Sequence, residues 1–510
     1  MESYPENEYF WRDLILDKNV DSDLWNSFLT YKYPGIEKSI VFDGETQKLW
    51  SDSSQMSEVQ IEEFKEIEKR HGKPPIFLNT VPLKYIMDFS NLVFNSGVSF
   101  AQRVLIVPDF RYSVFEGPAD FRETYFLEDT NFMESKFHGE MPTERKVDAV
   151  VSFQNASFNH GAIFNNAQFP NFIIFDEAKF NSFGYFQEAK FGKGKGSGSI
   201  SFNKTKFKKG ANFEYAVFKR DAYFTNTQFN SNAHFSGVQF NSFAFFQKSE
   251  FNQSVNFDAT EFNHKTIFFN AKFNSFSIFN NAKFLNTISF NGASFSRPPK
   301  FFNTDLHEDM DFFDIKWSDA EQFYRRKHTQ KDDSDTIIED ANNAIRVWDR
   351  LALIMSKQEK PAERHEFFRL KMRAQRERDG KTFLTFLNYL FEELSDYGWG
   401  VGKAFFWWGL HIFLGAIILG LVACFQINGG GLVPYLNMSL DSLLVSFSNS
   451  VSFLGLGSEG GYLYGPSIAI NDAIEKMKWV FPTVGTVQAV LGPILLFLVL
   501  LTLRNRFRLK

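Results

Sequence analysis

The stretch SVSFLGLG, residues 450–457, carries the groups best suited to chemistry in this 510-residue chain. Ser450 and Ser452 offer hydroxyls, and Gly455 and Gly457 permit backbone conformations that can aim carbonyls at a dehydrated ion. Phe453, Leu454 and Leu456 between them supply no side-chain ligand. The competing reading is an amphipathic loop closed by a glycine turn. Further on, Gln488 is the sole strong polar group in a long apolar run, so it should face a partner helix or a lumen. Gly492 and Pro493 in the same run allow a bend. Upstream, Arg369, Arg373 and Arg376 lie on one basic helix and suit anionic headgroups, or simply a solvated face. No Ser/His/Asp set, carboxylate pair or metal-spaced cluster stands out, so no enzyme, cofactor or metal is expected. GKGKGSGS (192–199) lacks the order of a phosphate loop, and His160, His234 and His264 show no ligand spacing.

The elements around 450–457 read as membrane spans. Ala404–Ile427 is 24 residues without a formal charge, about 36 Å as a helix and enough to cross a bilayer. Trp407 and Trp408 stand at its start, where an aromatic belt belongs. Val484–Leu503 is the second span, followed at once by RNRFRLK, whose basic residues place the C-terminus in the cytoplasm. Two spans then put the preceding chain there too. Between them Leu440, Leu443, Leu444, Phe447 and Val451 recur at helical spacing within loop 437–461. Before the first span, TFLTFLNYLFEELSDYGWGVGK suits an interfacial helix. MESYPENEYFWRD has no basic stretch leading into an apolar core, so no signal peptide is expected. The single Cys424 forms no internal disulfide and fits a reducing compartment.

The other half of the chain keeps a beat. Phe is the compositional outlier, with 65 copies. From Phe153 to Phe301 it returns at gaps of five and six, 27 times, with one slip between Phe191 and Phe202. The true period is 11 residues, which marks a solenoid. Two residues before most of these rings stands a small or β-branched side chain, such as Ala156, Ala167, Thr227, Val238 or Ala282. In an extended backbone these two positions point the same way, so each step buries one large and one small group. The spacers are Asn, Ser, Thr and Gly, which favour turns over a long helix. Off-beat Phe172, Phe183, Phe243 and Phe276 can face outward as a contact surface, or cap corners.

Two resemblances follow from these residues. NNAQFPNFIIFDEAKF and NNAKFLNTISFNGASF resemble the Phe-centred pentapeptide-repeat proteins over roughly residues 85–317. That resemblance implies a mainly β fold: a right-handed, four-sided β-helix, five residues to a face, with Phe and the small residue inside. The 5/6 alternation departs from strict pentapeptides and suggests coils of about 22 residues with an extra residue at alternate corners. Span, short helix, Gly-rich loop and span resemble the two-helix ion channels, and SVSFLGLG resembles the TxTTVGYG potassium filter. Phe453 and Leu456 replace the filter's Thr and Tyr, and Phe453 gives up a hydroxyl ligand.

The expected organisation is therefore a capping region at 1–84, a β-helix at 85–317, an α-helical linker with a basic hairpin at 318–402, and a two-span membrane domain at 403–510. The expected setting is the bacterial inner membrane, with the repeats cytoplasmic. The expected function is an oligomeric channel-like pore, a tetramer by the channel resemblance, whose arm meets a cytoplasmic protein. The alternative is a non-conducting tether for an interaction rod. Residues 151–300 carry 16 Lys plus Arg against 8 Asp plus Glu, spread along the rod, so DNA mimicry is excluded and nucleic acid is unlikely as a partner.

Overall fold

The computed structural model describes residues 10–15, 17, 20–32, 41–42, 45–46, 58–71, 87–139, 151–193, 197–307, 309–316, 334–424, 442–451 and 480–507. The chain forms two compact units, Met1–Thr336 with Ile354–Glu363, and Ile337–Leu353 with Arg364–Lys510.

The first unit is a β-solenoid of about ten turns. Two- and three-residue strands stack in parallel register on four faces. In chain order the faces open with Met87–Asp88, Val93–Phe94, Val98–Ser99 and Val104–Leu105. The third face is ten strands deep, roughly 50 Å at the usual strand spacing. All 27 on-beat rings from Phe153 to Phe301 are at most 3% exposed, and the small partners Ala156, Ala167, Thr227, Val238 and Ala282 are fully buried. Rings in successive coils stack, as Phe240 does on Phe218 (4.9 Å) and Phe262 (5.2 Å). Its neighbour within the coil, Phe246, meets it edge-on at 5.9 Å. Offset-stacked and edge-to-face pairs are the preferred aromatic geometries, so one residue type fills a continuous core.

The alternation of five and six has a backbone cause. After the first and third faces the chain turns tightly through a residue at positive φ: Asn91, Asn155, Asn166, Asn226, Asn270 and Asn281 are examples. Asn tolerates the left-handed region better than most L-residues, which accounts for the Asn two places after so many rings. The six-residue corners take one more residue and need no such conformation. At several small positions a hydroxyl donates to the Phe carbonyl of the coil before: Thr205 to Phe175 (2.7 Å), Thr227 to Phe202 (2.7 Å), Ser249 to Phe224 (2.8 Å). Gly194, Lys195 and Gly196 of the insertion lie outside the described residues.

Helices α1 (Phe10–Ile15), α2 (Ser22–Lys32) and α3 (Glu58–His71) precede the strands. In the sequence, 21–31 and 57–70 already read as helix-like patches, and the latter two helices fall on them. Helix α2 lies on the first coil. Trp25 Nε1 donates to the Val104 carbonyl (2.9 Å), Asn26 Nδ2 donates to that of Gln102 (2.8 Å), and Asn26 Oδ1 accepts from the Val104 amide (3.0 Å). Arg103 is buried beside them, donating to the Val20 carbonyl (2.7 Å) with its guanidinium 5.5 Å from the Trp25 ring. Burial lowers its pKa to about 10 against the opposing pull of Asp21. These contacts satisfy strand-edge groups that an uncapped solenoid would leave open.

The second unit is helical: α4 (Ser334–Lys357, of which 337–353 belong here), α5 (Pro361–Asp379), α6 (Phe383–Ser395), α7 (Val401–Cys424), α8 (442–450) and α9 (Val480–Phe507). Trp348 of α4 stacks on Phe367 of α5 at 6.0 Å. Ser318-Asp-Ala-Glu321, whose spacing reads as a capping box, lies outside the described residues.

Candidate functional site

Helices α7 and α9 are long and apolar enough to cross a membrane, and only 28% of each apolar window is buried. A soluble core helix would bury far more. Phe406, Phe413 and Leu421 on α7 and Val490, Phe497 and Leu500 on α9 are outward and exposed.

Helix α8 seats against both. Ser442, Ser446 and Ser450, spaced four apart, are at most 1% exposed and are buried beside Val445 and Val451, whereas Leu443 points outward and Phe447 lies edge-on to Trp408 of α7 at 6.0 Å. The serine stripe meets glycines. A Cβ on Gly420 would lie 3.5 Å from Ser442 Oγ, one on Gly415 would press on Ser446 and Gln488, and one on Gly492 would lie 2.5 Å from Ser450 Cα. Small residues on facing helices let backbones approach closely, as membrane packing favours.

At the centre of this contact is a polar node. Gln488 is 2% exposed. Its amide nitrogen donates to Ser446 Oγ, its carbonyl accepts from Asn449 Nδ2 (3.2 Å), and the Ser446 hydroxyl donates to the Ile412 carbonyl (2.6 Å). Ser450 Oγ donates to the Ser446 carbonyl at 3.0 Å. Thus Gln488 and Gly492 turn to α8 of the same chain, and Pro493 is half-buried beside them. Ser450 closes the serine stripe; Ser452, Phe453, Leu454, Gly455, Leu456 and Gly457 lie outside the described residues.

A second cluster holds the base of the spans. Ala404, Leu495, Leu498 and Val499 form a small core on which Phe391, Leu394, Trp407 and Trp408 pack. Glu392 of α6 is clamped from α5: Arg373 and Arg376 each reach it at 2.5 Å. Arg369, the third expected headgroup ligand, lies 4.0 Å from Glu366. Tyr397 donates to Asn388 Oδ1 (2.6 Å) and Glu392 Oε2 (3.2 Å), and burial pushes its phenol well up. His365 stacks on Trp399 at 5.0 Å, within 3.5 Å of Asp396, and Asn505 of α9 donates to the Gly398 carbonyl (2.8 Å).

Burial alone would raise the Glu392 pKa, but the bonds and charges of Arg373 and Arg376 outweigh it and hold the carboxyl below the usual glutamate value. Asp396 is lowered as well, chiefly by its bond with His365. A depressed folded pKa contributes stability above the unfolded value, roughly pH 4, that is lost as pH falls through the folded one. Glu392→Gln should therefore cost about 2–3 kcal/mol at neutral pH, under the full penalty of breaking a buried pair because both guanidiniums keep some solvent. It should also flatten the acid limb of the stability profile below about pH 4. Thermal unfolding of the detergent-solubilised chain across pH checks both.

On the solenoid the off-beat rings divide between two diagonally opposite corners. Phe172 and Phe243 precede strands of the third face, and Phe183 and Phe276 stand at the first. Phe183 and Phe243 are exposed, Phe172 and Phe276 half-buried. The Arg297 guanidinium sits 3.9 Å over the Phe276 ring. The third face carries a row the beat does not reveal: Tyr223, Phe245 and Ile267 lie in register on consecutive coils, with Tyr223 and Phe245 stacked at 4.7 Å. The signal was present one residue before the on-beat rings, in AYF, AFF and TIF.

No curated protein and no solved structure matches the chain. A family profile described as pentapeptide repeats, nine copies, matches residues 202–249, within the four-sided stack just described. Residues 202–249 thus match pentapeptide repeats within a β-solenoid of about ten turns, which is followed by helices of which two are apolar and long enough to span a membrane.

Proposed function

We propose that this chain is an integral inner-membrane protein whose spans, with α8 between them, form an ion-conducting pore in an oligomer. The solenoid is its cytoplasmic docking arm, and the reading is non-enzymatic. The observation that carries it is the seating of α8: a serine stripe buried on Gly415, Gly420, Gln488 and Gly492, with Leu443 outward. A short helix held at membrane depth directly ahead of SVSFLGLG is what a re-entrant, channel-like segment requires. Arg504 and Arg506, in the last turn of α9, support a cytoplasmic C-terminus. Four subunits is the number the channel resemblance implies.

The second reading is a non-conducting tether. The Tyr223–Phe245–Ile267 row favours it, because two stacked rings and an isoleucine in register on one face are a ready contact surface whether or not anything is conducted. Oligomeric state in nanodiscs, followed by flux of monovalent cations and anions into proteoliposomes, separates the two. A multimer with saturable flux supports the pore. A monomer, or a multimer that carries no ion at any potential, hands the function to the tether.

A further inference from the structure

Helix α6 is amphipathic with its sides exchanged. Towards α5 it turns polar groups: Glu392 is clamped by Arg373 and Arg376, and the Asn388 amide reaches the Met372 carbonyl (3.5 Å). Away from the protein it turns Phe383, Leu384, Phe386 and Leu387, of which Phe383 is 72% and Leu384 75% exposed. In water a helix places its apolar stripe on the protein. The arrangement also has a firm start, since Thr382 and Thr385 close a capping box, so the outward residues are held on a formed helix. Its far end, Phe391 and Leu394, packs on the base of α7 and α9. The exposed apolar face is thus continuous with the outward apolar faces of the spans. Lys381 and Lys403, both exposed, bracket it with positive charge.

We propose that α6 binds the lipid–water interface through Phe383, Leu384, Phe386 and Leu387, lying in the leaflet that α7 enters and latched to α5 by Glu392. This rests on the reading of α7 and α9 as spans. Rings and aliphatic chains on a helix at this depth sink into the headgroup–acyl boundary, while flanking lysines meet anionic lipid. The polar side cannot take that place, because its carboxylate already holds two arginines.

The test uses the full chain with Cys424→Ser, carrying one environment-sensitive fluorophore at Leu384→Cys or, as control, at outward Leu414→Cys of α7. Each is reconstituted in phosphatidylcholine–phosphatidylglycerol vesicles. The expected result is blue-shifted emission at both sites, with Leu384→Cys quenched by nitroxide near the headgroup and Leu414→Cys by nitroxide deep in the acyl chain. Both should be shielded from aqueous iodide. If Leu414→Cys behaves so but iodide reaches Leu384→Cys, the face lies in water and the proposal is wrong. If neither quencher reaches Leu384→Cys, a protein surface covers it, and the proposal is equally wrong. Loss of lipid quenching at Leu414→Cys would instead bring down the spans themselves.

Discussion

Phe240→Ala should open the solenoid locally at a cost of about 3–5 kcal/mol, the range for removing a large buried ring. Phe240 is 1% exposed and sandwiched between Phe218 and Phe262, with Phe246 edge-on. With Phe224 also edge-on at 6.5 Å, its loss strips contacts from four rings at once. Coils flank it on both sides, so the stack cannot close over the gap by moving one end. The adjacent Asn241→Ala deletes one hydrogen bond, from Asn263 Nδ2 at 2.7 Å, and should cost about 1 kcal/mol. Hydrogen exchange at the backbone amides of the neighbouring coils reads both: strong loss of protection for the first variant, little for the second. Equal small effects would refute the inward register of the beat.

Gly492→Val should abolish flux while sparing insertion and the solenoid. The added Cβ would lie 2.5 Å from Ser450 Cα, a backbone atom that cannot rotate away, so α8 must leave its seat. Hydrophobic length drives insertion, and neither span is shortened. Gly409→Ala is the matched control, since a Cβ there meets nothing within 4 Å. If Gly492→Val conducts like the unmodified chain, α8 does not position the conduction path. Gln488→Leu bears on the same seat by chemistry instead of bulk: it leaves Ser446 and Asn449 without their amide partner, so its effect should fall on assembly of α8 against the spans.

The repeat half was legible because its constraint is periodic. A coil of fixed length demands a ring at each inward position, written at every step, and a tight turn after every second ring, where Asn stands at Asn91, Asn155, Asn166, Asn226, Asn270, Asn281 and Asn303 but Glu188, Tyr215 and Lys248 serve as well. The third-face row of Tyr223, Phe245 and Ile267 escaped because outward positions carry no such demand; only their stacking in register makes a surface of them. The helices α7 and α9 announce themselves by length and composition. The orientation of α8 does not. Its apolar spacing suggests one inward apolar face, yet Ser442, Ser446 and Ser450 share the inward side with Val445 and Val451 while Leu443 points out. Amphipathic rules assume water outside, and the apolar exterior proposed for α8 would relax them. The Glu392 clamp was hidden for another reason. Arg373 and Arg376 stand 19 and 16 residues upstream, a separation that no helical periodicity connects, so only the folding back of α5 on α6 brings them together.

Whether α7 and α9 cross a bilayer decides everything said of α8 and of the pore. Two reporters in the expressed protein answer it, one fused after Lys510 and one inserted at Gly460. The first should be active only on the cytoplasmic side and the second only on the far side. Both on the same side would mean that α7 or α9 does not cross, and the membrane account of the second unit would fall.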